Sequence, residues 1–238
     1  MNIYLLVIVC SLLTGYGLNA LANLLGARHL SARLPAPFRD MLNQEQYAKS
    51  QEYARAGMRF DTVEELCSTL VILVIILAGG FDVLDGLVRS AGHGPIVTGL
   101  LFFAVLGLAG DLLALPFSIY HTFILENRFG FNTTTPGTFI MDKLKGWGLS
   151  VLIGGPLLAA VLWFFAAAGP WAWVWCWLVT VAATLCITYL APVFILPLFN
   201  TFTPLEEGEL RTAIESLAVR AGFALSGIFI MDGSKRST

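Results

Sequence analysis

Long apolar runs separated by short polar segments dominate the chain. Five of these runs are long enough to cross a bilayer, since an α-helix needs about 20 apolar residues to span a hydrocarbon core of about 30 Å. The spans are predicted near residues 1–25, 62–81, 96–118, 149–168 and 171–198. The first run has no basic start and no small-residue cleavage pattern, so we expect a retained membrane helix rather than a signal peptide.

Glycine and proline mark where several runs end. Gly79-Gly80 is predicted to end the second run, residues 115–117 to close the third, and Gly169-Pro170 to form the turn between the fourth and fifth. Pro192 and Pro197 are expected to kink or break the end of the fifth run.

Tryptophan is concentrated around the last two runs, as is typical of aromatic side chains at a membrane interface. The six tryptophans are Trp147, Trp163, Trp171, Trp173, Trp175 and Trp177.

The composition excludes an ordinary water-soluble globule. Of the 238 residues, 57% are hydrophobic and only 13% are charged, about half the charge of a typical soluble domain. Between Lys145 and Glu206, 60 consecutive residues include no Asp, Glu, Lys or Arg. The formal net charge of −2 gives no indication of nucleic-acid binding.

Basic residues predict the orientation in the membrane. Thirteen of the 14 Lys and Arg lie in residues 26–61, residues 119–148 and the tail after the fifth run, whereas Arg89 is alone on the opposite side. The positive-inside rule therefore predicts an outside amino terminus, with the large loops and the tail in the cytoplasm.

The tail is predicted to begin an α/β portion. Thr203 is expected to cap a helix, with Pro204 in its first turn and Glu206 three residues after the cap. Gly222 is expected to end this helix. The apolar run 228–230 predicts a strand, and no pairing partner for it is apparent in the tail, so we expect a longer natural polypeptide with a further strand.

The residue types themselves do not indicate an active site. His29, His93 and His121 are the three histidines, and none lies in an HExxH pattern or three to four residues from another histidine. No serine or cysteine has a base at a suggestive spacing, and the glycine pairs lack the context of a phosphate-binding loop.

Five polar residues remain as candidates with open interpretations. Asp111 lies inside the third run, where an acid either faces a wet cavity, pairs across helices or relays protons. Glu126 and Arg128 lie just beyond the predicted cytoplasmic end of that run. They either form an interfacial ion pair or belong to a functional site. Lys235 and Arg236 either attract an anionic peptide end or lipid headgroup, or belong to a solvated turn.

Eight segments, taken in order, resemble the integral-membrane CAAX prenyl protease type I family, which are zinc metalloendopeptidases of the HExxH class. Each segment is short, but their order and spacing cover nearly the whole chain. They are residues 49–53, 79–81, 115–120, 122–126, 129–132, 142–146, 197–200 and 231–238.

The resemblance implies a barrel of seven long helices around a large water-filled chamber, with zinc held by His, His and Glu. It implies cleavage of prenylated CAAX tails, which releases the last three residues, by a zinc-bound water that the Glu of HExxH activates. We therefore expect an all-α multi-span membrane fold with five of the seven helices in residues 1–200. Residues 201–238 would begin a peptidase domain and stop before the zinc motif.

This sequence lacks the HExxH motif of the family, which limits the site residues that can be transferred to it. In the family, HExxH follows the position where this sequence ends, so no catalytic or metal-binding residue is carried over. Zinc is expected in the full-length protein, and the chain alone is expected to be inactive without a cofactor of its own. Glu126, Arg128 and Asn132, together with Lys235 and Arg236, are the candidates for the substrate path.

The expected partners are the lipid bilayer, a peptide or prenylated-peptide substrate and the C-terminal catalytic portion, with no nucleic acid. A bacterial inner membrane is favoured, or the endoplasmic reticulum membrane in a eukaryote. Two alternative functions stay open at this point. One is a non-catalytic membrane module that binds lipid or peptide, and the other is a small transporter that uses Asp111.

Overall fold

The computed structural model describes residues 3–31, 33–34 and 43–235. It divides into two compact units, Met1–Asn132 and Thr133–Thr238. Within the described residues, four helices are long and apolar enough to cross a membrane, and one bent helix pair makes a fifth candidate span. The prediction of an all-α multi-span membrane fold is confirmed.

Five α-helices make up most of the first unit as far as the structure describes it. A short turn joins the helix over residues 80–90 to the helix over residues 95–120, and a π-helical turn, His121–Glu126, extends the latter. The helices are α1 (Ile3–His29), α2 (Gln44–Leu77), α3 (Gly80–Ser90), α4 (Pro95–Tyr120) and α5 (Asn127–Phe129).

Helix α2 runs without a break from the polar segment into the second apolar run. Its first turn is capped by Asn43, whose side-chain oxygen accepts a hydrogen bond from the Glu45 N–H at 2.8 Å. The helix ends at Leu77, and Gly79 adopts a left-handed backbone with φ of 70°. Helix α3 then leaves at 65° to α2, so the glycine pair ends the helix where the sequence predicted an end to the second apolar run.

Polar contacts join α1 to α2. The Asn19 amide donates to Glu65 Oε1 at 2.6 Å, and the Asn23 amide donates to Thr62 Oγ1 at 3.2 Å. Side-chain hydrogen bonds of this kind associate membrane helices, because lipid offers polar groups no other partners.

The described part of the second unit contains five further α-helices and a small sheet. Its helices are α6 (Pro136–Leu149), α7 (Gly155–Ala167), α8 (Ala172–Leu190), α9 (Leu196–Phe199) and α10 (Glu209–Arg220). Two π-helical turns, Ser150–Gly154 and Ala191–Ile195, join α6 to α7 and α8 to α9.

The segment 119–148, which the sequence places between the third and fourth predicted spans, is mostly helical. Helix α6 starts at Pro136, which suits the first helical position because proline has no N–H to leave unpaired. Thr135 caps this helix by accepting a hydrogen bond from the Thr138 N–H at 3.2 Å. Only the short stretch 130–135 is not helical.

The tail differs from its predicted structure in two ways. Residues expected to start a helix instead form strand β1 (Phe202–Pro204), and strand β2 (Phe229–Met231) pairs with it in antiparallel register. The predicted capping box is therefore wrong, and so is the prediction of an unpaired strand. Helix α10 begins after Gly208 and ends before Gly222, whose φ is 67°, so the predicted end of the helix is correct.

Candidate functional site

The polar segment that follows the third span is a tightly hydrogen-bonded turn. The π-turn passes into α5, which ends at Gly130 with φ of 69°. The Gly130 N–H donates to the Asn127 carbonyl, and the Phe131 N–H donates to the Glu126 carbonyl, each at 3.0 Å. Glu126, Arg128 and Asn132 therefore lie on one short structured segment, which we call the 126–132 turn.

The π-turn creates a histidine–carboxylate pair. His121 Nδ1 lies 3.6 Å from Glu126 Oε1. Residues five apart point about 140° away from each other on an α-helix, and the wider π-turn, with its i→i+5 hydrogen bonding, brings them together.

An ion pair between Glu126 and Arg128 was one interpretation of the sequence. Instead, Glu126 faces His121, and the Arg128 guanidinium lies 5.7 Å from the centroid of the Phe129 ring.

An aromatic cluster fixes the 126–132 turn against α2. The Tyr53 ring lies edge-on to Phe129 at 5.5 Å and to Phe131 at 5.0 Å between centroids. The Lys49 ammonium lies 5.6 Å from the Phe131 centroid, within the range of a cation–π contact. Phe129 is only 7% exposed. We refer to Lys49, Tyr53, Phe129 and Phe131 as the Tyr53 cluster.

The electrostatic setting of Tyr53 raises the pKa of its phenol above the ordinary value. This residue precedes the predicted second span. Burial is the main cause that raises the pKa of Tyr53, and the negative charges of Glu126 and Asp61 raise it further. A phenol with a raised pKa stays protonated near neutral pH, so the Tyr53 hydroxyl can donate a hydrogen bond there.

A second aromatic contact lies farther along the same two helices. The Phe60 ring stacks on Tyr120 with centroids 5.4 Å apart and planes 5° apart, and it lies 5.6 Å from the His121 ring. His121 is therefore held between a carboxylate and an aromatic ring.

The structure places the other candidates elsewhere. Asp111 is half-buried in α4, about 20 Å along the helix from Glu126 at about 1.5 Å per residue. Lys235 lies in the second unit, in a 3₁₀ turn after β2. Arg236 is outside the described residues. The 126–132 turn is the one group of candidates that the described part of the chain brings together.

Asp232, which the sequence did not single out, is a hydrogen-bonding centre at the base of the sheet. Its carboxylate Oδ1 accepts from the Thr201 N–H at 2.7 Å, and its own N–H donates to the Thr201 carbonyl at 3.2 Å. The Lys235 ammonium forms an ion pair with Oδ2 of the same carboxylate. The Asp-Gly-Ser-Lys sequence, with an acid and a base three residues apart across a turn, is the signal that could have indicated it.

The hydrogen bond from Lys235, followed by that from Thr201, lowers the pKa of Asp232 to about 2. Because the folded-state pKa is depressed, the ionised carboxylate stabilises the base of the sheet above its ordinary pKa. That stabilisation should be lost as the pH falls from about 4 through about 2. We expect the Thr201 amide resonance to titrate with a midpoint near 2 in pH-dependent NMR spectra. The titration should be absent in Asp232→Asn, and a midpoint near 4 would contradict the proposed contacts.

An open groove lies where the last span meets the sheet. Its volume is about 540 Å³, and most of its lining is apolar. The residues that line it are Pro192, Pro197, Asn200, Thr201, Phe202 and Phe229.

Comparison with known proteins decides the family. Residues 24–201 match the family described as "CAAX prenyl protease N-terminal, five membrane helices". The chain belongs to the CAAX prenyl protease family. It is 37% identical to CAAX prenyl protease 1 of Saccharomyces cerevisiae over 217 residues, which are 87% of this chain and 48% of the yeast protein. It is 31% identical to the Homo sapiens homolog over 215 residues, which are 87% of this chain and 45% of the human protein.

A solved structure shares the fold of this chain. The crystal structure of S. mikatae Ste24p superposes on the whole of this chain with a TM-score of 0.89 and 32% sequence identity, and the match covers 57% of that chain. The chain spans about half the length of the curated relatives that it matches.

The resemblance to zinc endopeptidases raises the question of a metal site in these residues. In the described part of the chain, no three or more His, Cys, Asp and Glu side chains group so that they could hold a metal ion. Structural and catalytic zinc sites use three or four such ligands. The described residues therefore do not fit a zinc site.

Proposed function

We propose that this chain is the N-terminal membrane portion of a zinc metalloendopeptidase whose zinc ligands lie outside these 238 residues. The enzyme would cleave C-terminal tripeptides or other membrane-delivered peptides inside a water-filled intramembrane chamber. The main support is the likeness to S. mikatae Ste24p, which extends over the whole chain at a TM-score of 0.89. The conserved fold would supply part of the chamber wall.

Within this proposal, the 126–132 turn lies on the substrate path. The Tyr53 cluster and the His121–Glu126 pair hold the backbone of the turn, so Arg128 projects from a fixed base rather than from a mobile loop. The Arg128 side chain is exposed and carries a positive charge. It would attract a carboxylate of the peptide, and Asn132 at the end of the turn would supply a hydrogen-bonding amide.

The candidates in the tail contribute differently. The Lys235 ammonium is already paired with Asp232, so its charge is partly neutralised and its main effect is on the position of β2. The groove at Phe202 and Phe229 offers apolar surface to the apolar part of a membrane-delivered peptide. The basic loops and the tail would face the cytoplasm, as the distribution of lysine and arginine favours.

The proposal is tested by comparing this chain with the longest open reading frame that contains it. We expect the 238-residue chain to bind no stoichiometric zinc and to leave a farnesylated CAAX peptide intact. The longer product should release the C-terminal tripeptide and should lose that activity on zinc chelation. Tight stoichiometric zinc in the 238-residue chain would overturn the ligand assignment. Labelling of cysteines substituted for Lys49 and Arg89 from the same side of the membrane would overturn the orientation.

A further inference from the structure

The segment between α9 and the sheet of the tail is very short. Helix α9 ends at Phe199 and strand β1 begins at Phe202, so two residues connect them. The last carbonyls of a helix have no N–H partner within that helix and need donors from elsewhere. The Leu198 carbonyl is one of these acceptors. We call residues 198–201 the joint.

Lys145 of α6 supplies the donor at the first position of the joint. Its ammonium donates to the Leu198 carbonyl at 2.7 Å and lies 5.7 Å from the centroid of the Phe199 ring, within the range of a cation–π contact. A cation at the C-terminal end of a helix is favourable, because the helix dipole places partial negative charge there. This contact joins residues 53 apart in the sequence and holds the end of α9 against α6.

The tail holds the last position of the joint. The Thr201 N–H donates to Asp232 Oδ1 at 2.7 Å, and the Asp232 N–H donates to the Thr201 carbonyl at 3.2 Å. Helix α10 is tied to the end of β1, because the Arg211 guanidinium donates to the Leu205 carbonyl at 3.1 Å. The direction of the tail therefore depends on the two ends of the joint, one held by Lys145 and the other by Asp232.

The groove of about 540 Å³ is built across this joint. Its lining includes Pro192 and Pro197 before the joint, residues 200–201 within it, and Phe202 and Phe229 in the sheet. Because the lining comes from both sides of the joint, a rotation of the tail about residues 198–201 would change the shape of the groove.

We propose that Lys145 is a positioning residue that acts on the groove through the joint. Its ammonium closes the end of α9 and so sets the direction in which the sheet leaves the membrane helices. The groove then has the shape that receives the apolar part of a membrane-delivered peptide. This inference rests on the function proposed above. Lys145 itself contacts neither the peptide nor the reacting atoms in this role.

The position of the tail is measured by pulsed EPR in the 238-residue chain, without reference to activity. One spin label is placed on native Cys186 in α8 and the other at Ser216→Cys in α10, with the other three cysteines changed to serine. We expect a narrow distance distribution in this parent chain and a broader one with Lys145→Met. Lys145→Arg should restore the narrow distribution, since a guanidinium also donates and carries the same charge.

Asp232→Ala tests the joint from its other end, where no membrane helix is altered. This change removes the acceptor of the Thr201 N–H, so it should also broaden the distribution. A distribution as narrow as that of the parent chain, with either Lys145→Met or Asp232→Ala, would refute the proposal.

The effect on the groove is measured in the product of the longest open reading frame that contains this chain. Lys145→Met should raise KM for a farnesylated CAAX peptide about tenfold with little change in kcat, because it weakens binding in the groove and leaves the reacting centre alone. Lys145→Arg should keep the parent KM. A lowered kcat at an unchanged KM would indicate only loss of folded enzyme and would also refute the proposal. If the parent product cleaves nothing, the proposed function fails, and the EPR distances still decide the role of Lys145.

Discussion

Phe129→Ala is expected to lower the free energy of unfolding of the first unit by about 3 kcal/mol, at the low end of the range for truncating a buried phenylalanine. Phe129 is 7% exposed and supports the Tyr53 ring and the Arg128 guanidinium. Its loss leaves a cavity beneath the 126–132 turn, which α2 cannot fill without moving. The measurement is reversible unfolding in mixed micelles, followed by circular dichroism.

Phe223→Ala is the matched control, since this phenylalanine is 70% exposed. Its effect on the unfolding free energy should be within about 0.5 kcal/mol, as for most surface substitutions. Limited proteolysis should show faster cleavage within residues 130–135 in Phe129→Ala than in the control. Equal destabilisation by the two substitutions would show that the Tyr53 cluster does not hold the turn.

Gly80→Ala is expected to destabilise the elbow between α2 and α3 by about 1–3 kcal/mol, the usual cost of overpacking. A Cβ at this position would lie 2.9 Å from Ile75 Cγ2 and 3.1 Å from the Ile75 carbonyl oxygen. Isoleucine is β-branched and has few alternative rotamers in a helix, so the clash cannot be relieved by a flexible chain end. The free energy of unfolding, measured in the same mixed micelles, checks the prediction.

Gly86→Ala is the control in the same helix. No atom lies within 4 Å of a Cβ built at Gly86, so the substitution only replaces a poor helix former by the best one. It should stabilise the protein by about 0.5–1 kcal/mol. Effects of opposite sign are therefore expected from the same change made six residues apart, and two effects of the same sign would contradict the close approach at Ile75.

The membrane helices could be predicted from the sequence because lipid imposes a simple requirement. Every backbone polar group in the hydrocarbon must be paired within a helix, so about 20 apolar residues in a row nearly determine the structure. The end of α2 at Gly79-Gly80 was predictable for a similar reason, since the left-handed backbone of Gly79 favours glycine.

The tail was less predictable because tertiary pairing competes there with local signals. Thr203 and Pro204 satisfied a capping pattern, yet pairing with Phe229 and Ile230 places them in a strand. A strand of three residues that contains proline is a weak signal in a single sequence. The hydrogen bonds of Asp232 to Thr201, 31 residues away, are likewise invisible to local pattern analysis.

The candidate site was predicted in part. Glu126, Arg128 and Asn132 are close in the sequence and lie on one structured turn, but their partners come from elsewhere. Tyr53 is more than 70 residues away from them. The pairing of Glu126 with His121 depends on a π-turn, and no simple residue pattern distinguishes a π-turn from an α-helix.

The three π-turns also bear on how the chain can change in length. Loss of one residue from a wide turn such as Ser150–Gly154 would leave an ordinary α-helical turn, with α6 and α7 still facing their present neighbours. The same deletion inside α8 would rotate every later side chain of that helix by about 100°. Single-residue gaps among related proteins are therefore expected to concentrate at the π-turns. A π-turn can lose one residue without changing which side chains of the following helix face their neighbours.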